Sequence, residues 1–205
     1  MKSLKTLAKT TTLAVVLATA GAFGSASAAD LSAVPSGSYT LDPTHAFIDF
    51  SYSHLGLSNP TLSFDDFSVD LNLDSSDATK SMFLVKIDSA SILTGSAIFK
   101  EHLTGGDWFD TTQYPEILFQ STTITAADDG SYTVVGDLTI KDVTKPVTLN
   151  VTINAAMDHP MTGKPVVGIG ATGELLRSDF GLGAYAPNVS DEVQLTITAE
   201  LNKAQ

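Results

Sequence analysis

Four stretches of this chain alternate apolar and polar residues with a period of two, which dictates strands with one buried face. Ile48, Phe50 and Tyr52 interleave with Asp49, Ser51 and Ser53. Tyr132, Val134, Leu138 and Ile140 interleave with Thr133, Asp137, Thr139 and Lys141. Val147, Leu149, Val151 and Ile153 interleave with Thr148, Asn150, Thr152 and Asn154, and Val193, Leu195, Ile197 and Ala199 with Gln194, Thr196, Thr198 and Glu200. Less regular strands are predicted over 62–73, 82–92, 117–125 and 166–176. The total is about eight, with short turns between most of them. Asp128-Asp129-Gly130 reads as a tight hairpin, and Asp142 to Pro146 as the separator of the two cleanest strands.

Sequential antiparallel strands remove their exposed edges by closing into a barrel. Eight strands leave an interior that side chains can fill or that can hold one small ligand. The expected fold is therefore all-β, an eight-stranded antiparallel barrel. A two-sheet sandwich is the alternative, because alternation does not separate the two. Gly168, Gly170 and Gly173 fall in one predicted strand, where glycine permits a bend or a close approach. One segment breaks the pattern: Ser96 to Phe109 reads as a short helix followed by an apolar loop that plugs the core or lids a cavity.

The first residues concern destination rather than fold. Lys2, Lys5 and Lys9 precede an uncharged apolar run, Leu13 to Phe23, and the small-x-small site Ala26-Ser27-Ala28. This is the pattern of a secretory signal peptide, and the run is well short of the roughly 20 residues of a membrane span. An uncleaved anchor is the alternative. The expected division is a signal peptide at 1–28, a short disordered leader at 29–38, and one barrel domain at 39–203, exported to the periplasm with no integral membrane segment after cleavage. Removing the three signal lysines moves the formal net charge from −12 to −15. A surface that acidic repels nucleic acid and anionic membranes. The chain has no cysteine, so the apolar core alone must hold the fold, and thiol chemistry is excluded.

No G-x-S-x-G elbow, H-E-x-x-H pair or P-loop is present, and no cofactor is implied. Asp65-Asp66 and Asp128-Asp129 fall at turns or strand ends, where adjacent residues face opposite ways. His45 and His54 lie in one predicted strand, nine residues apart and so on opposite faces. His54 is in phase with Ile48, Phe50 and Tyr52 and is expected to point inward or to cap the inner face, as a core histidine or a polar contact for a ligand headgroup. A metal site from these two would need a bulge, and no spacing supports one. Arg177-Ser178-Asp179-Phe180-Gly181 ends a strand, as a structural corner or as a cation near the barrel opening.

Several pieces together resemble the YceI-like family of periplasmic lipid- or polyisoprenoid-binding proteins. They are Tyr39-Thr-Leu-Asp42-Pro-Thr-His45, Phe50-Ser-Tyr-Ser-His54, Ser91 to Gly95, His102-Leu103, Asp107-Trp-Phe-Asp110, Tyr114 to Ser121, Gly136 to Val147, Arg177 to Gly181 and Asp191-Glu-Val193. The resemblance implies a lipocalin-like barrel around an elongated tunnel that binds an isoprenoid, such as a quinone or polyprenyl species, or a similar lipid. It implies no catalytic residue. Two departures fall near the expected entrance: Trp108 stands where Phe is typical, and Leu55 to Thr61 lacks the usual Gly-x-Phe continuation.

The expected ligand contacts are Phe50, Tyr52, Phe83, Phe119, Val151 and Leu195 along the tunnel. Leu103, Trp108 and Phe109 come from the helix–loop segment, and His54 and Arg177 are the candidates for the headgroup. A lipid-modifying enzyme and a secreted protein with a filled barrel are the competing readings. Nothing in the pattern specifies an oligomeric state.

Overall fold

The computed structural model describes residues 29–204. The signal-peptide pattern at 1–28 lies outside the described residues. Within them, ten strands follow one another: β1 (Gly37–Ser51), β2 (Thr61–Phe64), β3 (Phe67–Leu73), β4 (Met82–Asp88), β5 (Ile92–Leu93), β6 (Glu116–Ala126), β7 (Tyr132–Ile140), β8 (Val143–Asp158), β9 (Pro165–Leu176) and β10 (Glu192–Lys203). The helix α1 (Ala97–Thr104) lies between β5 and β6. Eight strands, in the order β1-β3-β4-β6-β7-β8-β9-β10, close into a barrel where β10 pairs with β1. The closed barrel replaces the sandwich alternative, and every pairing is antiparallel.

The two extra strands come from predicted strands that break. The 62–73 stretch divides at Asp65-Asp66: β3 pairs with β1 at Gly37–Thr40, while β2 takes the place beside β1 at Ile48–Ser51. The 82–92 stretch divides at a 3-10 turn, Ser89–Ser91, after which Ile92 and Leu93 pair with β2 as β5. The separator expected at Asp142 to Pro146 is also corrected. β8 begins at Val143, and Lys141-Asp142 alone make the turn, with Lys141 left-handed at φ 58°. Pro146 sits within the strand opposite Asp137. The Asp128–Gly130 hairpin forms as read, with Asp129 accepting from the Ser131 amide and hydroxyl.

The strand directions give the barrel two ends. The segments 52–60, 89–115, 141–142 and 177–191 gather at one end, here the mouth. The segments 29–36, 74–81, 127–131 and 159–164 gather at the other. That second end is closed by the residues expected to be a disordered leader. Leu31–Ala33 form a 3-10 turn capped by Asp30, Leu31 and Val34 are buried, and the Tyr39 hydroxyl donates to the Pro35 carbonyl at 2.6 Å. A ten-residue tail with two apolar anchors is thus fixed by burial, which a short stretch with no periodicity and with Pro35 and Gly37 conceals.

The core forms two clusters. One, at the closed end, includes Leu31, Val34, Tyr39, Leu71, Val167 and Leu201, several of them with no exposure. The other fills the mouth half and includes Phe64, Leu103, Phe109 and Phe119, with half-buried Phe50, Tyr52, Leu195 and Ile197 against it.

Candidate functional site

Inward-facing residues that stay half-buried face a space, and the mouth half contains one. A cavity of about 170 Å³ is walled by Phe50, Phe64, Phe109, Phe119, Leu195 and other apolar side chains. Tyr52, Leu103, Trp108 and Val189 form its outer wall, shared with an open vestibule of about 620 Å³. Inward, Ile48, Val85, Phe119, Leu149 and Ile197 are shared with a gap of about 60 Å³, and beyond it lies one of about 20 Å³ floored by Leu31. The interior is therefore a file of spaces tapering from the mouth to the plugged end.

The sequence builds the wall by alternation. β1 contributes Ile48 and Phe50 and, just past its end, Tyr52; β10 contributes Leu195 and Ile197; β6 contributes Ile117 and Phe119. Phe50 and Phe64 stack at 5.5 Å between centroids, and Phe64 meets Phe109 edge-on at 5.9 Å. Phe119 lies flat across β7 because position 136 is glycine, where any Cβ would overlap its ring. On β9, Gly173 is the tight position, since a Cβ there would stand 2.7 Å from Leu149 Cδ2; Gly168 has more room.

The wall holds two polar side chains, Tyr52 and Arg177. Burial raises the Tyr52 phenol above its ordinary pKa, with the Arg177 guanidinium pulling it back, so it stays a neutral donor near pH 7. Its hydroxyl makes no hydrogen bond among the described residues and stands where chamber meets vestibule. Arg177 is buried and its charge is engaged. It donates to the carbonyls of Ser190 and Ala184 at 2.8 Å, to Val189 at 2.8 Å, and to Leu182. Burial pulls its pKa down, though a guanidinium remains charged at physiological pH. Asp191, held below the usual carboxylate range chiefly by the Ser178 hydroxyl, anchors the base of the same loop. Arg177 is thus the post around which residues 182–190 wrap, rather than a free cation at the opening.

Trp108 is the hinge of the entrance. The Arg177 guanidinium lies 5.5 Å from its ring centroid, and Tyr185 stacks near it at 6.3 Å. Its indole N–H donates to His102 Nε2 at 3.1 Å. Phe109 and Leu103 are buried beside it and cap the chamber, so the helix–loop segment plugs and lids at once.

Of the residues singled out from the sequence, Phe50, Tyr52, Leu103, Trp108, Phe109, Phe119, Arg177 and Leu195 meet around the chamber. Phe83 and Val151 lie deeper, around the two small gaps. His54 is corrected: β1 ends at Ser51, and His54 is exposed on the following turn, bridged to Ser58 and Val189 and lining the vestibule. Tyr185, Asn188 and Val189 were missed, because a loop with no periodicity carries no signal of where it folds back.

His45 is exposed on a bulge of β1, where residues 42–45 stand opposite Glu200 alone. With Asp42 and Glu200 it makes a trio whose ligand-type atoms lie within 4.8 Å of one another. The His45 ring contacts Asp42 at 3.3 Å and Glu200 at 3.9 Å. Glu200 is 155 positions away, which is why the sequence does not reveal this cluster.

The model of the YceI-like domain matches residues 39–201, from Tyr39 near the start of β1 to Leu201 near the end of β10. The chain belongs to the YceI-like family. It is 35% identical over 179 residues to the protein YceI of Shigella flexneri, covering 86% of this chain and 88% of that one. Among solved structures it resembles Burkholderia cenocepacia BcnA, with a TM-score of 0.69 at 25% identity over 78% of this chain and 98% of that one. It shares its fold with a polyisoprenoid binding domain from Saccharophagus degradans implicated in plant cell wall breakdown, with a TM-score of 0.64 at 15% identity over 81% of this chain and 98% of that one. In this YceI-like barrel, the motif Tyr39 to His45 forms the bulged first half of β1, and Asp107 to Phe109 caps the chamber.

Proposed function

We propose that this protein is an exported, periplasmic binding protein that carries a long isoprenoid, a quinone or polyprenyl species, with its hydrocarbon in the tunnel and its headgroup in the vestibule. The observation that carries this reading is the apolar chamber itself. Left unfilled, an apolar space of about 170 Å³ would cost a fold roughly 4 kcal/mol at about 24 cal/mol per Å³. That is a large fraction of the roughly 5–15 kcal/mol by which a domain is stable. A hydrocarbon that fills the space offsets the loss, at roughly 25 cal/mol per Å² of apolar area removed from water.

The taper favours a chain over a compact ring system, and two polar side chains in an otherwise apolar wall leave little else to recognise within the chamber. Headgroup contacts fall to Tyr52, whose hydroxyl is free, and to His54 and His102 in the vestibule. The polyisoprenoid class named for the Saccharophagus degradans domain agrees with this reading. Mass spectrometry of lipids extracted from protein purified from its native periplasm tests it. One isoprenoid species in near-stoichiometric amount is expected, with an N-terminus at or near Ala29. Protein that retains Met1, or that carries no apolar molecule and gains no stability from added isoprenoids, contradicts it.

A further inference from the structure

The exposed apolar side chains at the mouth form a rim. Leu55 is 52% exposed, Leu57 82%, Ile98 82% and Tyr185 67%. Leu55 and Tyr185 line the vestibule; Leu57 is on the same turn as Leu55, and Ile98 precedes Phe99, another vestibule residue. An apolar rim on a water-soluble domain marks an interaction surface. Both Leu55 and Tyr185 hold left-handed backbone, at φ 57° and 64°, a conformation that disfavours residues with a Cβ. The chain thus accepts strain at two positions that present apolar tips to solvent.

Charge separates this rim from the rest of the molecule. Residues 52–60 contain no Asp, Glu, Lys or Arg, nor do residues 181–190 or the approach to α1 at 94–99. Each loop at the closed end carries at least one: Asp30, Asp74 with Asp77 and Lys80, Asp128 with Asp129, and Lys164. Farther along α1 and its loop, Lys100, Glu101, Asp107 and Asp110 resume the charged surface, so the uncharged face is the one the two loops and the first turn of α1 share.

We infer that this rim docks on the interface of a lipid bilayer, setting the tunnel mouth against the acyl layer. The inference rests on the lipid-carrying reading above, because a long isoprenoid has its reservoir in a membrane. Three features fit a bilayer. Leucine and isoleucine tips give apolar area to the headgroup–acyl boundary. Tyr185, stacked near Trp108, supplies the aromatic type enriched at that depth. The acidic body, with a formal net charge of −12 for the whole chain, is repelled by anionic headgroups everywhere except at this uncharged face. The vestibule that this rim surrounds shares Tyr52, Leu103, Trp108 and Val189 with the chamber, so only that wall stands between a docked bilayer and the barrel interior.

Two measurements separate this inference from the reading beneath it. Flotation with phosphatidylcholine vesicles containing no isoprenoid tests docking. Quenching of Trp108, the sole tryptophan, by added geranylgeraniol tests ligand binding. The wild-type mature protein is expected to float with the vesicles, and less so when phosphatidylglycerol is included. The double variant Leu57→Ser/Ile98→Ser touches neither chamber nor vestibule wall. It is expected to lose flotation at least tenfold, to bind geranylgeraniol as wild type does, and to extract it from vesicles at least tenfold more slowly. Wild type that stays with the soluble fraction, or a double variant that floats and extracts normally, overturns the docking inference even if quenching is intact. A rim that instead joins two copies, seen as a dimer that the double variant dissolves, overturns it too. Absent quenching in protein that still floats through these residues defeats the isoprenoid reading and leaves the membrane contact standing.

Discussion

Along β10 the inward residues pass from one kind of environment to another. Val193 is buried under the cap at 7% exposure, Leu195 and Ile197 remain half-buried against the chamber, and farther along Ala199 is 4% exposed and Leu201 not at all. The same strand, with the same alternation, packs loosely where it borders the chamber and tightly beyond it. The difference comes from what faces it. At the closed end Leu31 and Val34 fold back onto the barrel and fill it, while at the mouth α1 and the 182–190 loop form a cap, held by Arg177, above the chamber. The closed end is tightly packed, and the mouth half keeps an apolar space of about 170 Å³. Local regularity of a strand therefore says little about which of these roles it serves.

The largest effect expected is on the cap. Arg177→Met removes the donors to four carbonyls and should destabilise the protein by about 4 kcal/mol. Hydrogen exchange should locate the loosening at 182–190 rather than at the closed end. Truncation then separates the halves. Leu201→Ala should lose about 3 kcal/mol and leave geranylgeraniol affinity unchanged. Phe50→Ala, whose ring borders a space, should lose less than the roughly 3–5 kcal/mol of a fully packed ring when delipidated, and its affinity should fall at least tenfold. Equal losses from the two truncations, with affinity untouched in both, would erase the distinction between the halves.

A smaller effect is expected at the base of the cap. Asp191→Ala should lose about 1 kcal/mol near pH 7 through its bonds to Ser178. The Asp191 pKa is depressed in the fold, so its contribution is present above the unfolded carboxylate pKa of about 3.9 and is lost as pH falls through the lower folded value. Acid titration of stability should therefore be shallower in the variant below about pH 4. Identical acid limbs would show that the Ser178–Asp191 bonds contribute nothing to the cap.

The barrel was legible because alternation is a local property. Strands β7, β8 and β10 stand where period two places them, and the Asp129 turn and the α1 segment follow from turn and breaker residues. What escaped depends on distant partners. The break at Asp65-Asp66 arises because two segments share β1, and the tail at 29–36 is fixed by a barrel end that the tail cannot foresee. His54 was misplaced because phase was extended past the point where β1 stops pairing. Arg177 was legible as a corner, but its four carbonyl partners come from a loop without pattern. Phe50, Tyr52 and Leu195, in phase on alternating strands, stand on the chamber wall. The space they border was not legible, since the same Phe and Leu residues line a filled core and a tunnel alike.

If the mouth half encloses a chamber and the closed end does not, enlarging a side chain has opposite effects at the two ends. Leu195 and Leu201 share a strand and a face, so Leu195→Phe and Leu201→Phe add the same atoms to the two ends. The unfolding free energy of delipidated protein, with and without saturating geranylgeraniol, is the measurement. Leu201→Phe should lose about 1–3 kcal/mol by overpacking and keep the full ligand-induced gain, about 2.7 kcal/mol at a hundredfold excess over Kd. Leu195→Phe should lose nothing or gain stability when empty, and its ligand-induced gain should shrink. Equal destabilisation by both substitutions, with the ligand gain absent or unchanged in each, would mean that the barrel is filled throughout and that no chamber exists.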